Sequence, residues 1–223
     1  MSLDARHLSA DEMHDDFGRL PALEETQVFD GFIFGVARAK VDLGEGGVVA
    51  REYMTHPGAV AVVALRPGPD GRDEVLVIRQ YRHAIGVYSW ELPAGLLDQP
   101  GEPPWEAAAR ELAEEADLTA STWHVLSGFA PSTGASTEAI RIFLARDLAD
   151  VPGDERHERE GEELGIQAAW VSLDDLHEAV LRGRFVNAPL VVGILATVAA
   201  RERNWDPLQP YDAPWPQHPA YRD

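Results

Sequence analysis

The first half of the chain shows the hydrophobic pattern of β-strands. Between residues 27 and 56, β-branched and aromatic residues alternate with polar ones, and a glycine-rich turn at 44–47 divides them. This pattern predicts an antiparallel β-unit of two or three strands. Continuous apolar runs follow at 60–65 and 75–78, with a Pro- and Gly-rich break at 67–71. They predict two buried strands joined by a hairpin.

The second half mixes helical and strand patterns. Apolar residues recur at helical spacing over 103–117, and two prolines stand where the first turn needs no amide partner. Further strands are predicted at 123–129, 139–145 and 166–172. Ser172 and Asn187 precede two more helical segments and are predicted N-caps. The pattern as a whole indicates an α/β protein.

The same patterns predict four parts along the chain. Residues 1–25 are polar and are expected to form a flexible arm, followed by the β-unit at 26–57. The main domain is expected at 58–203 and an extended, proline-rich tail at 204–223. A sheet as small as the β-unit rarely stands alone. We therefore expect it to pack on a neighbouring element or on a second subunit.

Composition narrows the classes of function. The 223 residues include 38 acidic and 19 basic side chains, for a net charge of −19. Such a surface repels phosphate backbones and anionic lipid, which disfavours binding to nucleic acid or membranes. The chain has no cysteine, so disulfides, thiolate nucleophiles and cysteine-based zinc sites are excluded. Since no secretion signal or membrane-length apolar run is found, a cytoplasmic protein is expected.

The predicted helix at 103–117 carries a group of carboxylates. Glu111 and Glu115 lie four residues apart and share one face, with Glu114 beside them. Like charges at this spacing repel one another, and a hard divalent cation such as Mg²⁺ would reverse the sign of the interaction. Arg110 is placed to orient one of the carboxylates. The alternative is an ordinary Glu-rich helix face exposed to solvent.

The spacing around this helix resembles the Nudix box, G-x5-E-x7-R-E-U-x-E-E-x-G-U with U aliphatic. The matching positions include Gly95, Glu102, Arg110 and the three glutamates. Six residues instead of five separate Gly95 from Glu102, and Asp117 stands where the family usually has Gly. Stretches at 79–82, 90–95 and 132–138 are similar to the ADP-ribose pyrophosphatase branch of that family.

This resemblance implies a fold and a reaction. The fold would be an α/β/α sandwich around a mixed sheet, preceded by an antiparallel β-unit that is exchanged across a homodimer. The reaction would be hydrolysis of the pyrophosphate bond of a nucleoside diphosphate sugar, a small-molecule substrate. It would require two or three Mg²⁺ ions, with Mn²⁺ as a possible substitute.

The resemblance also implies roles for individual residues. Expected metal ligands are Glu111 and Glu115, assisted by Glu114 and the backbone carbonyl of Ala94. Gly95, Glu102 and Arg110 would be structural, with an ion pair between Glu102 and Arg110 that orients the box. Expected substrate contacts are Phe32, Arg51, Arg82 and Glu91.

A general base is also required, and the resemblance places it on a loop outside the box. The segment 154–163 holds six acids in ten residues just before a predicted strand. Glu163 and Glu162 are the first candidates there, and Glu138, in the loop 132–138, is the rival. The alternative for any one of these acids is an ordinary solvated loop.

Three functions remain open at this point. The first is hydrolysis of ADP-ribose to AMP and ribose 5-phosphate. The second is hydrolysis of another nucleoside diphosphate sugar, such as GDP-mannose. The third is a non-catalytic module that binds ADP-ribose. The complete carboxylate set favours an enzyme, because a binding module does not need all three glutamates.

Overall fold

A computed structural model describes residues 3–159 and 161–222 of the protein, with Glu162 and Glu163 described by their backbone alone. The helices are α1 (Pro104–Ala116), α2 (Leu173–Leu181) and α3 (Ala188–Glu202). The strands are β1 (Ala22–Asp30), β2 (Gly35–Asp42), β3 (Val48–Thr55), β4 (Ala59–Pro67), β5 (Asp73–Arg82), β6 (Val87–Glu91), β7 (Ala94–Leu96), β8 (Leu118–Phe129), β9 (Ile140–Asp150), β10 (Gln167–Ser172) and β11 (Gln209–Pro210). None of the described helices is long and apolar enough to cross a membrane.

Strands β1, β2 and β3 form a separate antiparallel sheet in that order. Strand β1 begins at Ala22, inside the segment predicted as an arm. Cross-strand partners explain the earlier start. Glu24 forms an ion pair with Lys40, and Glu25 accepts a hydrogen bond from the Tyr53 hydroxyl at 2.8 Å. Polar side chains can therefore extend a strand that apolar periodicity alone does not predict.

Within residues 27–56, whose pattern predicts strands, the stretch Phe32–Phe34 is not a strand. This stretch belongs to the loop between β1 and β2, which the Gly31 N–H closes by donating to the Phe34 carbonyl at 3.1 Å. Phe32 is fully exposed at the end of this loop. The aromatic residues resemble strand residues in sequence, but in this chain they have no core to face.

The main sheet is mixed and follows the order β10-β5-β4-β9-β8-β11, with β6 beside β5 and β7 beside β4. Strands β4 and β9 are parallel, whereas β4 and β5 form the predicted antiparallel hairpin. Strand β7 pairs with the start of β4, so that Gly95 lies opposite Val60. Ala94, the expected backbone metal ligand, and Gly95 are therefore held beside the first residues of the central strand β4.

Helices cover both faces of the main sheet. Successive residues of β4 point to opposite faces of the sheet, because side chains on a strand alternate in direction. Val60 and Val62 pack with Leu112 of α1, whereas Ala61 and Val63 pack with residues of α2 and α3. The predicted α/β/α sandwich with an N-terminal antiparallel sheet is confirmed.

The helix ends follow the predicted capping. Pro104 lies in the first turn of α1. The Asn187 side chain accepts the Leu190 N–H at 2.9 Å at the start of α3, and Ser172 accepts from Asp175 at the start of α2. The predicted N-caps are confirmed.

The C-terminal segment docks onto the main sheet. Strand β11 pairs with β8, and Trp215 and His218 are buried. The guanidinium of Arg141 donates to the carbonyls of Ala213 at 2.8 Å and Pro214 at 2.7 Å. The order of this proline-rich segment thus depends on tertiary contacts, since its own backbone forms few regular hydrogen bonds.

Candidate active site

The site is built where helix α1 meets strand β7. The backbone N–H of Ala94 donates to Glu115 Oε2 at 2.8 Å. A Cβ built on Gly95 would overlap the carboxylate of Glu111. Only glycine allows this close approach of strand and side chain. The structure therefore brings Ala94, Gly95, Glu111 and Glu115 together.

The carboxylates of Glu115 and Glu111 have little contact with water. Glu115 is 8% exposed; burial raises its pKa to about 8, although the hydrogen bond from Ala94 opposes that rise. Burial also raises the pKa of Glu111, against the effect of the neighbouring Arg110. Desolvation disfavours the charged form of a carboxylate. A cation placed between the two groups would offset this cost.

In this structure, the cation in contact with Glu111 and Glu114 is Arg110. Its Nε and Nη2 donate to the two carboxylate oxygens of Glu102, each at 3.0 Å. Its Nη1 donates to Glu111 and, at 3.1 Å, to Glu114. These contacts raise the pKa of Arg110 further, so it remains charged. The two hydrogen bonds to Glu102 fix the direction of the guanidinium.

The donor set fits a hard cation in its chemistry. In the described part of the chain, no three Asp, Glu or His side chains already surround a point in metal-ligand geometry. Arg110 binds two of the three glutamates, and the third binds the Ala94 N–H. Carboxylate and carbonyl oxygens are the ligands that Mg²⁺ prefers. Glu111 and Glu114 would have to exchange Arg110 for such an ion.

A second ion pair, of which only the carboxylate is buried, adjoins the cluster. Arg82 binds the carboxylate of Glu91 with two parallel hydrogen bonds of 3.0 and 2.7 Å. Glu91 is 2% exposed. Both residues lie near enough to Glu115 to shift its pKa, Arg82 downward and Glu91 upward. Two of the predicted substrate contacts therefore lie beside the predicted metal ligands, where they bind each other.

Arg51 and Glu138 lie elsewhere, on a cavity of about 760 Å³. This cavity, called here the terminal cavity, lies among the N-terminal sheet, the loop 130–138 and both chain ends. The loop is fixed to β3, because the Met54 N–H donates to Ala135 at 2.8 Å and the Thr137 N–H donates to Met54 at 2.9 Å. Glu138 lies 4.0 Å from the imidazole of His56.

The remaining predicted site residues are Phe32 and the two glutamates of the acidic segment. Phe32 extends into solvent and does not line the terminal cavity. Glu162 and Glu163 lie on the 3-10 turn Gly161–Gly165, and their side chains lie outside the described part of the structure.

Arg159, which the sequence analysis did not single out, attaches the acidic segment to α1. Its guanidinium donates to the carbonyls of Glu114 at 3.3 Å and Glu115 at 3.1 Å, and to the Asp117 carboxylate at 2.8 Å. Cations favour helix C-termini, where carbonyls lack partners. That preference was the available signal, but the two segments are too far apart in sequence for spacing to reveal it.

Comparison with known proteins identifies the family. A model of the NUDIX domain matches residues 55–191. The chain belongs to the Nudix family. It is 41% identical over 190 residues to an ADP-ribose pyrophosphatase of Mycobacterium tuberculosis, covering 85% of this chain and 88% of that protein. It is 31% identical to an ADP-ribose pyrophosphatase of Bacillus subtilis, covering 69% and 78%. The predicted resemblance to this branch of the Nudix family is confirmed.

The fold is shared with a solved structure described as an ADP compounds hydrolase. The TM-score is 0.66 at 20% identity, over 86% of this chain and all of the other. At this identity the likeness concerns the fold alone.

Both departures from the usual Nudix box have a structural explanation. Asp117 adopts left-handed geometry, with φ 54°, where the family usually has Gly. Asp tolerates this region better than most residues do, and Arg159 binds its side chain. The extra residue lies in a turn closed by the Glu102 N–H, which donates to Gln99 at 3.2 Å. Glu102 still reaches Arg110, so the box keeps its contacts.

Proposed function

We propose that this Nudix protein hydrolyses the pyrophosphate bond of ADP-ribose and releases AMP and ribose 5-phosphate. One observation carries the proposal: the carboxylates of Glu115, which is buried, and of Glu111, which is half-buried, lie together against Ala94 and Gly95. The names of the two ADP-ribose pyrophosphatases described above support the choice of substrate.

The carboxylates of Glu111, Glu114 and Glu115, with the carbonyl of Ala94, would hold two or three Mg²⁺ ions, which Mn²⁺ can replace. When bound, such ions neutralise diphosphate oxygens and lower the pKa of a coordinated water. Gly95 leaves room for the Glu111 carboxylate at the strand edge. Glu102 would hold Arg110 in place while Glu111 and Glu114 bind the metal.

The general base is proposed to be Glu163 or Glu162. Arg159 attaches their segment to the C-terminal end of the helix that bears the metal ligands. Glu138 is the rival, because it lines the terminal cavity beside Arg51. The base would accept the proton of the attacking water.

Substrate contacts are proposed for Arg82, Glu91, Arg51 and Phe32. Arg82 offers a forked donor suited to phosphate, and Glu91 is an acceptor for ribose hydroxyls. Arg51 would bind phosphate or ribose in the terminal cavity. In its own subunit Phe32 lies in solvent and does not line that cavity. It would stack on adenine in the site of a second subunit.

We also propose a homodimer, and the same exposed loop supports it. Val28, Phe29, Phe32, Ile33 and Phe34 are all substantially exposed on one end of the N-terminal sheet. Clustered exposed apolar residues mark interaction surfaces. A second copy of the chain would cover them. The net charge of −19 disfavours nucleic acid and membranes as partners, and the lack of cysteine suits the reducing cytoplasm.

Side-by-side turnover of ADP-ribose and GDP-mannose with Mg²⁺ tests the proposal. We expect a higher kcat/KM for ADP-ribose, with AMP and ribose 5-phosphate as products by chromatography. A preference for GDP-mannose would instead indicate a different nucleotide sugar hydrolase. Tight binding of ADP-ribose without turnover would indicate a non-catalytic module.

A further inference from the structure

The C-terminal tail is anchored to the main sheet by a buried arginine. Arg141 is 5% exposed, and burial lowers its pKa to about 10. Within the described residues it binds no carboxylate. It donates to the carbonyls of Ala213 and Pro214, and its guanidinium lies 5.0 Å from the ring centre of Trp215. A buried cation requires such partners, so these contacts fix the path of the tail.

A second anchor fixes the tail against the junction between β3 and β4. The Nε2 of His218 donates to the Pro57 carbonyl at 2.8 Å, and its Nδ1 accepts the Ala220 N–H at 3.1 Å. Gly58 has φ +92°, and a Cβ there would overlap the His218 ring. Rings of Trp215, His218 and Tyr221 lie 4.9 to 5.7 Å apart. The segment 215–221 therefore has a defined position on the protein.

This position brings the tail to the terminal cavity and close to Glu102 of the Nudix box. Gln217, Pro219 and Arg222 line the terminal cavity together with Arg51 and Glu138. Tyr221 is near enough to Glu102 that the carboxylate, after burial, helps to raise the tyrosine pKa. The tail thus lies beside the Nudix box and also forms part of the cavity wall.

We propose that Arg222 binds the substrate: together with Arg51 it contacts, from the terminal cavity, those diphosphate oxygens of the nucleoside diphosphate sugar that the proposed metal ions do not hold. The inference rests on the proposed function for its substrate class. The cavity volume of about 760 Å³ is in the range of small-molecule sites. Guanidinium groups bind phosphate with paired hydrogen bonds.

The charges on the cavity wall support this assignment. Arg222 donates from Nε to the Pro216 carbonyl at 3.0 Å and lies 5.8 Å from the ring centre of Phe17. Arg51 donates to the Ala50 carbonyl. Over residues 3–159 and 161–222, neither guanidinium binds a carboxylate. The third arginine, Arg19, binds Glu25, and the lining acids are Asp15 and Glu138.

The competing explanation is that the tail only braces the fold. A brace would change stability or kcat when it is altered, whereas a phosphate contact changes substrate affinity. Arg222→Ala removes the guanidinium, and Arg222→Lys keeps the positive charge but loses the paired N–H donors. Arg203→Ala, at the exposed end of α3, is the matched control.

Steady-state kinetics with ADP-ribose and thermal denaturation of the four proteins test the inference. We expect Arg222→Ala to raise KM about 10-fold, the effect of losing one hydrogen bond to a charged group. Its kcat and Tm should stay near those of the control. Arg222→Lys should lie between the wild type and Arg222→Ala. An unchanged KM in Arg222→Ala, or a fall confined to kcat or Tm, overturns the inference.

The failure of this inference and the failure of the proposed function are distinguishable. Wild-type turnover of ADP-ribose with no KM change in Arg222→Ala overturns the inference alone. If GDP-mannose is the better substrate, the KM increase is expected with that compound, since it contains the same diphosphate. If no turnover occurs, ADP-ribose affinity is measured by calorimetry. Arg222→Ala should weaken it about 10-fold, and absence of wild-type binding overturns both proposals.

Discussion

Helix α1 and the acidic segment 154–163 are both rich in glutamate, yet the protein holds them in different ways. In α1, helical spacing places the carboxylates on one face, where Glu115 is buried and Glu111 is half-buried against β7. The segment 154–163 has six acids in ten residues, but its acids at 154, 155 and 158 are exposed. Arg159 attaches it to the end of α1. Burial against a glycine-containing strand, and not the number of acids, distinguishes the proposed metal ligands of α1 from the acids of the loop.

Glu115→Gln should have the largest effect. The amide still accepts the Ala94 N–H, so the fold should persist, but the charge needed for the metal is lost. We expect kcat to fall at least about 1,000-fold, because metal stabilisation of the transition state is worth several kcal/mol. Mg²⁺-dependent turnover and circular dichroism provide the measurement. Glu106→Gln in the first turn of the same helix is the control. Near-normal activity of Glu115→Gln would refute the metal assignment.

Substitution of the candidate bases tests the acidic segment. Glu163→Gln, Glu162→Gln and Glu138→Gln are compared by kcat at saturating substrate and Mg²⁺. The true base should lose about 100-fold to 1,000-fold, the usual contribution of proton transfer. The other two variants should stay near the wild type. A loss confined to Glu138→Gln would move the base from the acidic segment to the wall of the terminal cavity.

Gly95→Ala tests the tight fit between β7 and α1. The new methyl group would overlap the Glu111 carboxylate and displace it. We expect kcat to fall about 10-fold to 100-fold, because a misplacement of about 1 Å costs up to that factor. Gly153→Ala, where a Cβ meets open space, is the control, just before the acidic segment. Equal activities of the two variants would show that the close approach has no catalytic importance.

Arg159→Ala should have the smallest effect and would show how far the two regions depend on each other. It removes the cation from the end of α1 and from Asp117. The free energy of unfolding should fall by about 1 to 2 kcal/mol in urea denaturation, as for other charged hydrogen bonds. We also expect kcat to fall a few-fold. Arg182→Ala, which removes an exposed ion pair, should change neither. If the two variants behave alike, the attachment of the segment contributes nothing.

Several elements were predictable because their signals are local. Helix α1, its proline start and its glutamate face follow from spacing within 103–117. The hairpin of β4 and β5 follows from two apolar runs and the break between them. The pattern over residues 27–56 does not separate the loop at Phe32 from the strands beside it, because a β-branched and aromatic stretch looks the same in a strand and in an exposed loop. The start of β1 was missed because its partners, Lys40 and Tyr53, come from other strands.

The sequence by itself determined the Nudix family, the sandwich fold and the positions of the three glutamates, because helical periodicity and motif spacing are properties of adjacent residues. Only the tertiary structure decided which groups share a site. It buried Glu115 against Ala94, brought Arg159 to the end of α1, and placed Arg222 and Arg51 on one cavity. These pairs are distant in the chain, so their proximity depends on how sheets, loops and chain ends pack, and no local pattern records that.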